Sequence, residues 1–565
     1  MIPAAAVAVL VFCVPQLLHA AWPLNGQDVS VANGNDKSPA IAADGQGGAI
    51  VAWARLQDPP TCLIMAQRLS ADGTVLWRSG GITVHSGWGL KRYPSIMNDG
   101  IGGAIVAWED GRDDVGYPDI YVQRIDLAGT TSWKQNGVAV CAAPYEQQSP
   151  RMASDGSGGA IIVWSDRRGG HGYFDIYAQR VDRTGVARWA QNGVQVSAGV
   201  NLFTGQFEVV PDGAGGAIIA WQKRNWNQDE YSISAQRIDQ NGNRQWTASG
   251  VSVCSAAGEQ IAPQIVRGGD GAAIVTWYDR RSGGADIYAQ KISMAGASQW
   301  AVNGACICSA PFDQRDPRIV ATAGGGAMIV WQDRRNGNQD VYYQKVSAQG
   351  QPLWTAGGVP LCTQMAWQSL ALLDNSGSGG ALAVWYDERY PGFSILARRV
   401  EGDGSTPWYV DGVIVCATRV PNPNSSYEVR CVSDGAGGAI VAWEDYRGGL
   451  SKIYVQRTNG LGNQGLAATD APAASIALHQ NYPNPFNPAT RIAFELEETS
   501  AVSLRIFSVD GTLVRELLRE TIMTGNREVV WDGKDNAGRK VASGVYLYRL
   551  DAGSTSQTKK MVLLR

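Results

Sequence analysis

The chain repeats itself, and the repeat dictates what it can fold into. The phrase GGAIVAW, or a close variant, ends at Trp53, Trp108, Trp164, Trp221, Trp277, Trp331, Trp385 and Trp443, eight copies spaced by 55, 56, 57, 56, 54, 54 and 58 residues. A unit of this length cannot bury its apolar face alone and must stack on its neighbours. One full unit, Ser149 to Val196, reads SPRMASDGSGGAIIVWSDRRGGHGYFDIYAQRVDRTGVARWAQNGVQV. It holds four strand signals and no helical period. PRMAS is short and leads into a glycine-rich turn. GAIIVW is continuously apolar, as expected of a strand buried on both faces. DIYAQRV mixes apolar and polar positions, and a DRTG turn leads to WAQNGVQV. Eight such units predict an all-β chain, an eight-bladed β-propeller. A β-solenoid is the runner-up, but its coils are usually shorter.

Residues 21–34, AWPLNGQDVSVANG, stand before any repeat, yet they match the end of one: WKQNGVAVCAAP from Trp133 and WTASGVSVCSAA from Trp246. In units one to seven this fourth segment starts at Trp77, Trp133, Trp189, Trp246, Trp300, Trp354 and Trp408, and the eighth unit has none. Trp22 lies 31 residues before Trp53, the same interval as Trp77 to Trp108, Trp133 to Trp164 and Trp300 to Trp331. The N-terminal strand is therefore expected to complete the last blade and close the ring, covering an otherwise bare sheet edge.

The 565 residues are 44% hydrophobic and 18% charged, the composition of a folded chain. The net charge is −3 without blocks of like charge, which gives no electrostatic case for nucleic acid or an anionic membrane. The opening MIPAAAVAVLVFCVPQLLHAA has no charged side chain. Ala4–Val14 has the length of a signal h-region, and Ala20 and Ala21 are small enough for cleavage. It lacks the usual basic n-region. Residues 1–21 are read as a cleaved signal peptide, and the mature chain as exported, with no later apolar run long enough to span a membrane.

The loop after the second strand and the connection to the next unit vary most, and they share one rim of the blade. Function usually sits on such loops. The first kind carries a recurring acid and base: Asp110/Arg112, Asp166/Arg168, Asp279/Arg281, Asp333/Arg335, Asp387/Arg389 and Asp445/Arg447. One reading is a ring of charge that binds a polar ligand. The other is a repeated ion pair that pins each loop or links neighbouring blades. Trp88, Phe203, Trp226 and Trp367 break the symmetry on this rim and are candidates for stacking on a ligand.

His19, His85, His171 and His479 have no metal-ligand spacing, and no EF-hand pattern occurs. No metal or cofactor is expected, although DGRDDVGYPD at Asp110–Asp119 is rich in carboxylates. Cys141, Cys254, Cys308, Cys362 and Cys416 each lie eight residues after a fourth-strand Trp, which suits a small buried side chain. Cys416 with Cys431 is the one pair worth testing for a disulfide. SADGTVLW at Ser70–Trp77 is loosely similar to the Asp-box turn of sialidases, S-x-D-x-G-x-T-W. Asp72 adjoins Gly73 directly, so the spacing departs, and no catalytic Glu–Tyr pair stands out.

After Gly465 the pattern stops. Residues 22–465 are read as the propeller and 466–475, LAATDAPAAS, as a linker. Alternating apolar residues in TRIAFEL, VSLRIFSV, REVVWDG and GVYLYRL predict a β-sandwich of about seven short strands over residues 476–565. NYPNPFNP, WDGKDNAG, SGVYLYRL and the final KKMVLLR resemble the C-terminal sorting domain of type IX secretion substrates. The stretch is also similar to the Ig-like domain of flagellar hook-capping proteins. That resemblance implies passage across an outer membrane, with the tail recognised by secretion machinery. The expectation is a secreted or surface binding or adhesion protein whose ligand is a glycan or a protein. A secreted glycoside hydrolase of sialidase type is the alternative.

Overall fold

The structure, a computed structural model, describes residues 22–564 apart from 24, 31–34, 58–60, 114–115, 171–172, 203–206, 226–229, 365, 377–378, 390–392, 409–411, 421–428, 448, 461, 463–475, 497–499, 509–512, 523–524 and 553–554. The leader, the linker, His171, Phe203 and Trp226 lie outside the described residues. Every regular element among the described residues is a β-strand.

The repeat region forms eight four-stranded antiparallel sheets, one for each Trp from Trp53 to Trp443. The second is typical: Lys91–Asn98, Gly103–Asp110, Asp119–Asp126 and Val138–Cys141, paired in chain order. Its second strand is buried along its whole length, as the apolar GGAIVAW phrase requires. The first strand of each sheet packs on the first strand of the next, and Arg430–Ser433 of the eighth packs on Asn35–Ala43 of the first. Apolar faces meet between sheets. Trp108, for example, shares a cluster with Ile50, Ile64 and Trp77 of the first sheet.

The eighth sheet takes a strand from the other end of the chain. Gln27–Asp28 pairs antiparallel with Lys452–Thr458, Gln27 opposite Val455 and Asp28 opposite Tyr454. The Val29 amide donates to the Ile453 carbonyl at 3.0 Å, and Gln456 Nε2 donates to the Pro23 carbonyl at 2.7 Å. Trp22 is buried in a cluster with Trp53 and Val455, and its indole N–H donates to the Ala71 carbonyl at 3.1 Å. The 31-residue interval located this strand from counting alone.

The fourth strands begin later than the sequence suggests. In the second sheet the strand starts at Val138, five residues after Trp133. A buried glutamine on the third strand takes the place of the missing ladder. Gln123 Oε1 accepts the Trp133 amide at 3.0 Å, and its Nε2 donates to the Lys134 carbonyl at 2.9 Å. Gln67, Gln179, Gln236, Gln290 and Gln344 make the same clamp. The Trp-led segment therefore arches over the sheet edge before joining it.

Residues 476–563 form two further sheets. One holds Ile476–Leu478, Thr490–Leu496 and Gly525–Trp531. The other orders Leu513–Ile522, Ser500–Ser508, Gly544–Ala552 and Thr555–Leu563. Alternating residues of both sheets, among them Ile492, Phe494, Leu504, Tyr548 and Trp531, fill one core.

Candidate functional site

The recurring Asp and Arg come together in all six sheets that carry them, and they do so beneath the surface. In the second sheet Trp108 Nε1 donates to Asp110 Oδ2 at 2.7 Å. The Arg112 amide donates to Asp110 Oδ1 at 3.0 Å, and Arg112 Nη2 reaches Oδ2 at 2.5 Å. The guanidinium lies 3.6 Å from the centre of the Tyr121 ring and donates to the Asn136 carbonyl. The same brace joins Trp164, Asp166, Arg168 and Tyr177, and Trp277, Asp279, Arg281 and Tyr288. It recurs at Trp331, Asp333, Arg335 and Tyr342, at Trp385, Asp387 and Arg389, and at Trp443, Asp445, Arg447 and Tyr454. All six carboxylates are buried, while the arginine side chains keep 18–27% exposure. Burial alone would raise the Asp110 carboxyl, but Arg112, Trp108 and Lys91 hold it below the ordinary carboxylate range. Each carboxylate meets protein donors, and in five of the braces the arginine also ties its rim loop to the turn leading into a fourth strand.

Sheets one and four depart from the motif in different ways. In the first sheet Asp36, on the first strand, supplies the carboxylate, accepting from Trp53 Nε1 at 3.0 Å and Arg55 Nε at 2.7 Å. The brace is kept with its acid moved to a neighbouring strand. In the fourth sheet Lys223 stands at the acid's position, and the buried Trp221 indole N–H has no acceptor among the described residues.

The cysteines serve the same brace. Arg168 Nη2 lies 3.1 Å from Cys141 Sγ, Arg281 Nη2 3.2 Å from Cys254, Arg335 Nη2 3.1 Å from Cys308 and Arg389 Nη2 3.2 Å from Cys362. Burial pushes the Cys141 and Cys308 thiols up to about 12 and Cys254 to about 11. Cys416 and Cys431 are both free thiols. His85 takes the cysteine's position in the first sheet, paired with Ile64 as Cys141 is with Ile120. Its Nε2 lies 3.7 Å from Asp110 Oδ2, and burial holds it down at about 4.

Above the braces, the loops between sheets carry aromatic side chains on a repeated fastening. In five of the sheets the residue that opens the first strand reaches back into its loop. Gln147 Nε2 donates to the Tyr145 carbonyl at 2.8 Å, Gln314 Nε2 to the Phe312 carbonyl at 3.2 Å and Gln368 Nε2 to the Ala366 carbonyl at 2.6 Å. In the second sheet Lys91 replaces the glutamine, and its ammonium donates to the carbonyls of Gly87, Trp88 and Gly89. Every exposed aromatic of the repeat region among the described residues belongs to this rim. They are Trp88, Tyr93, Tyr117, Tyr145, Phe312 and Trp367. The opposite rim exposes aliphatic residues such as Ile101 and Val302. Tyr117 and Tyr145 meet edge to face at 6.1 Å, and the Arg334 guanidinium lies 5.4 Å from the Trp367 ring centre.

Three of these aromatics have a left-handed backbone: Tyr93, at a position where other sheets also carry non-glycine residues, and Tyr145 and Phe312, where other sheets carry glycine. Tyr145 has φ 67° and Phe312 φ 63°. The equivalent positions, two residues before Lys91 and Gln260, are Gly89 with φ 90° and Gly258 with φ 84°. A side chain in the left-handed region costs about 1–2 kcal/mol, and both rings point into solvent, Phe312 at 70% and Tyr145 at 50% exposure. Sequence reasoning picked out Trp88 and Trp367 but missed Tyr145 and Phe312. Aligning the loops on Lys91, Gln147, Gln260 and Gln314 shows Gly, Tyr, Gly and Phe in one column. Among the described residues no group of three or more His, Cys, Asp or Glu is placed to hold a metal ion.

Residues 481–556 match the family model of the FlgD Ig-like domain. No curated protein matches the chain. Among solved structures, a protein of unknown function from Dyadobacter fermentans is similar at 12% identity over 77% of this chain and 98% of its own, with a TM-score of 0.35. An α-L-arabinanase from Penicillium chrysogenum is similar at 14% identity over 55% of this chain and 93% of its own, with a TM-score of 0.33. PorZ, a surface component of the type IX secretion system of Porphyromonas gingivalis, is similar at 11% identity over 93% of this chain and 81% of its own, with a TM-score of 0.28.

Proposed function

We propose that this is a secreted or cell-surface binding protein whose ligand, a glycan or a protein, lies across the aromatic rim. On this reading residues 1–21 are a cleaved export signal and residues 22–465 an eight-bladed β-propeller closed by the N-terminal strand. Residues 466–475 link it to an Ig-like sorting domain, residues 476–565, which outer-membrane secretion machinery reads. The observation that carries the binding role is the pair of strained aromatics. Tyr145 and Phe312 stand where Gly89 and Gly258 serve the backbone better, and both rings are presented to solvent. Local strain of this kind is retained where a side chain has work to do. Exposed rings on one face suit stacking against sugar rings or apolar side chains. Trp88 and Trp367 extend the same face, and Trp226 is a further candidate read from the sequence alone. The six Asp–Arg pairs act from below, holding the loops, with the arginine edges bordering the ligand.

The test is a glycan array and a protein-capture screen with the mature chain, followed by Trp88→Ala, Tyr145→Gly and Phe312→Gly. Binding without turnover, lost in these variants while melting is unchanged, supports the proposal. Turnover abolished by replacing a single rim carboxylate refutes it in favour of a hydrolase.

A further inference from the structure

Arg151, Glu208, Gln264, Arg318 and Arg430 occupy one register position on the first strands of sheets three, four, five, six and eight. Each lies opposite the residue that precedes the second-strand Trp: Val163, Ala220, Thr276, Val330 and Ala442. Equivalent registers on neighbouring sheets place these side chains at one height. They also converge. Arg151 Nε lies 3.8 Å from Glu208 Oε1. Arg318 feels both Glu208 and Arg430, which belong to sheets two places away on either side. Side chains directed at a common centre account for both observations. Counting four residues from Gln314 at about 3.3 Å each puts this layer roughly 13 Å below the aromatic rim.

The layer holds three guanidinium groups and one carboxylate. Arg318 Nη1 donates to the Pro317 carbonyl at 3.1 Å, Arg151 Nη1 to Pro150 at 3.5 Å and Arg430 Nη1 to Val429 at 3.3 Å. Arg318 has no carboxylate within salt-bridge distance among the described residues, and its one acceptor among them is that backbone carbonyl. Asp316 lies on the rim side of Arg318. Asp374, one step towards the other rim, is occupied by the Ser433 amide at 2.6 Å and the Asn375 amide at 2.8 Å. Arg318 is half-buried, and desolvation pushes its guanidinium down, consistent with a cation short of acceptors beside it.

We propose that this arginine layer is a binding site for an anionic group, a carboxylate or a sulfate, entering from the aromatic rim. The inference rests on the propeller reading above and deepens it: the ligand on the rim is an acidic saccharide, with its sugar rings on the aromatics and its charged group among Arg151, Arg318 and Arg430. A planar carboxylate or a sulfate suits the fork of a guanidinium, which a hydroxyl matches less strongly.

The experiment uses the mature chain, with D-glucuronate, inorganic sulfate and neutral glucose as probes, followed by thermal shift and calorimetry at constant ionic strength in chloride. Glucuronate, sulfate or both are expected to bind saturably, and glucose not to. Arg318→Gln should weaken the anion about tenfold, one charge-assisted contact at ~1.4 kcal/mol. Glu208→Gln, which removes the competing carboxylate, should tighten it. The probe that binds better identifies the charged group. Stabilisation that does not saturate, or is the same in wild type, Arg318→Gln and Glu208→Gln, overturns the inference. Neutral oligosaccharide binding lost in Trp88→Ala but intact in Arg318→Gln tests the rim separately, so the two readings fail independently.

Discussion

If Tyr145 and Phe312 are strained, glycine and alanine should exchange their usual order there. At an ordinary exposed site Gly is less stable than Ala by about 0.5–1 kcal/mol, because it gives the unfolded chain more freedom. At φ 63° and 67° a Cβ costs about 1–2 kcal/mol that glycine escapes. Both replacements lose the same ring, so its burial cancels in the comparison. Phe312→Gly should therefore be more stable than Phe312→Ala by about 0.5–1 kcal/mol, the strain relieved less the entropy regained. Tyr145 should follow the same order. Leu353, exposed and without a left-handed backbone, is the control and should favour Ala. Guanidinium unfolding followed by tryptophan fluorescence, with midpoints compared at equal slope, gives the difference directly. Alanine equal to or better than glycine at both positions would refute the strain, and with it the argument that these rings are kept for a ligand.

Three further outcomes follow from the packing. Trp22→Ala should destabilise by about 3–5 kcal/mol, the range for truncating a buried aromatic, and hydrogen exchange should rise first along residues 452–458; an unchanged midpoint contradicts the N-terminal seam. His85 is held at about 4 in the folded chain against an ordinary value of 6.5. The unfolded chain therefore takes the proton first. This group's contribution is complete above about pH 6.5 and falls by about 3 kcal/mol as pH drops towards 4. His85→Cys, the residue of the equivalent position in five other sheets, should remove that slope, and an identical pH–melting profile refutes the assignment. Native-state alkylation read by mass spectrometry should modify exposed Cys306 first, leaving buried Cys141, Cys254 and Cys308 protected until unfolding; early labelling at Cys141 contradicts the brace.

Repetition made much of this architecture countable. The Trp22–Trp53 interval located a strand pairing between residues more than four hundred apart, because register in a repeat is arithmetic. The turn positions followed from glycine and aspartate for the same reason. Other features depended on geometry that residue type does not encode. The fourth strands start late because Gln123 and its equivalents satisfy the arched segment through side chains. Asp36 replaces the missing loop acid of the first unit from another strand, and spacing within the loop gives no hint of it. The Asp–Arg motif was visible, but its burial was not: whether a carboxylate faces water or an indole N–H depends on the fold around it. The strained rings could have been found by aligning loops on the residue that fastens them, since a column of Gly, Tyr, Gly and Phe is a backbone signal.

The seam between the two ends of the repeat region also orders events during synthesis. Sheets one to seven are each complete within a short stretch of chain and can form as they emerge. The eighth cannot. Its outer strand is made first and its partner, Lys452–Thr458, last. Trp22 therefore waits through the synthesis of the whole repeat array before its pairing partner exists, and closing a loop of that length is slow. A chain truncated anywhere before residue 452 leaves its first strand without the partner it pairs with in the complete chain.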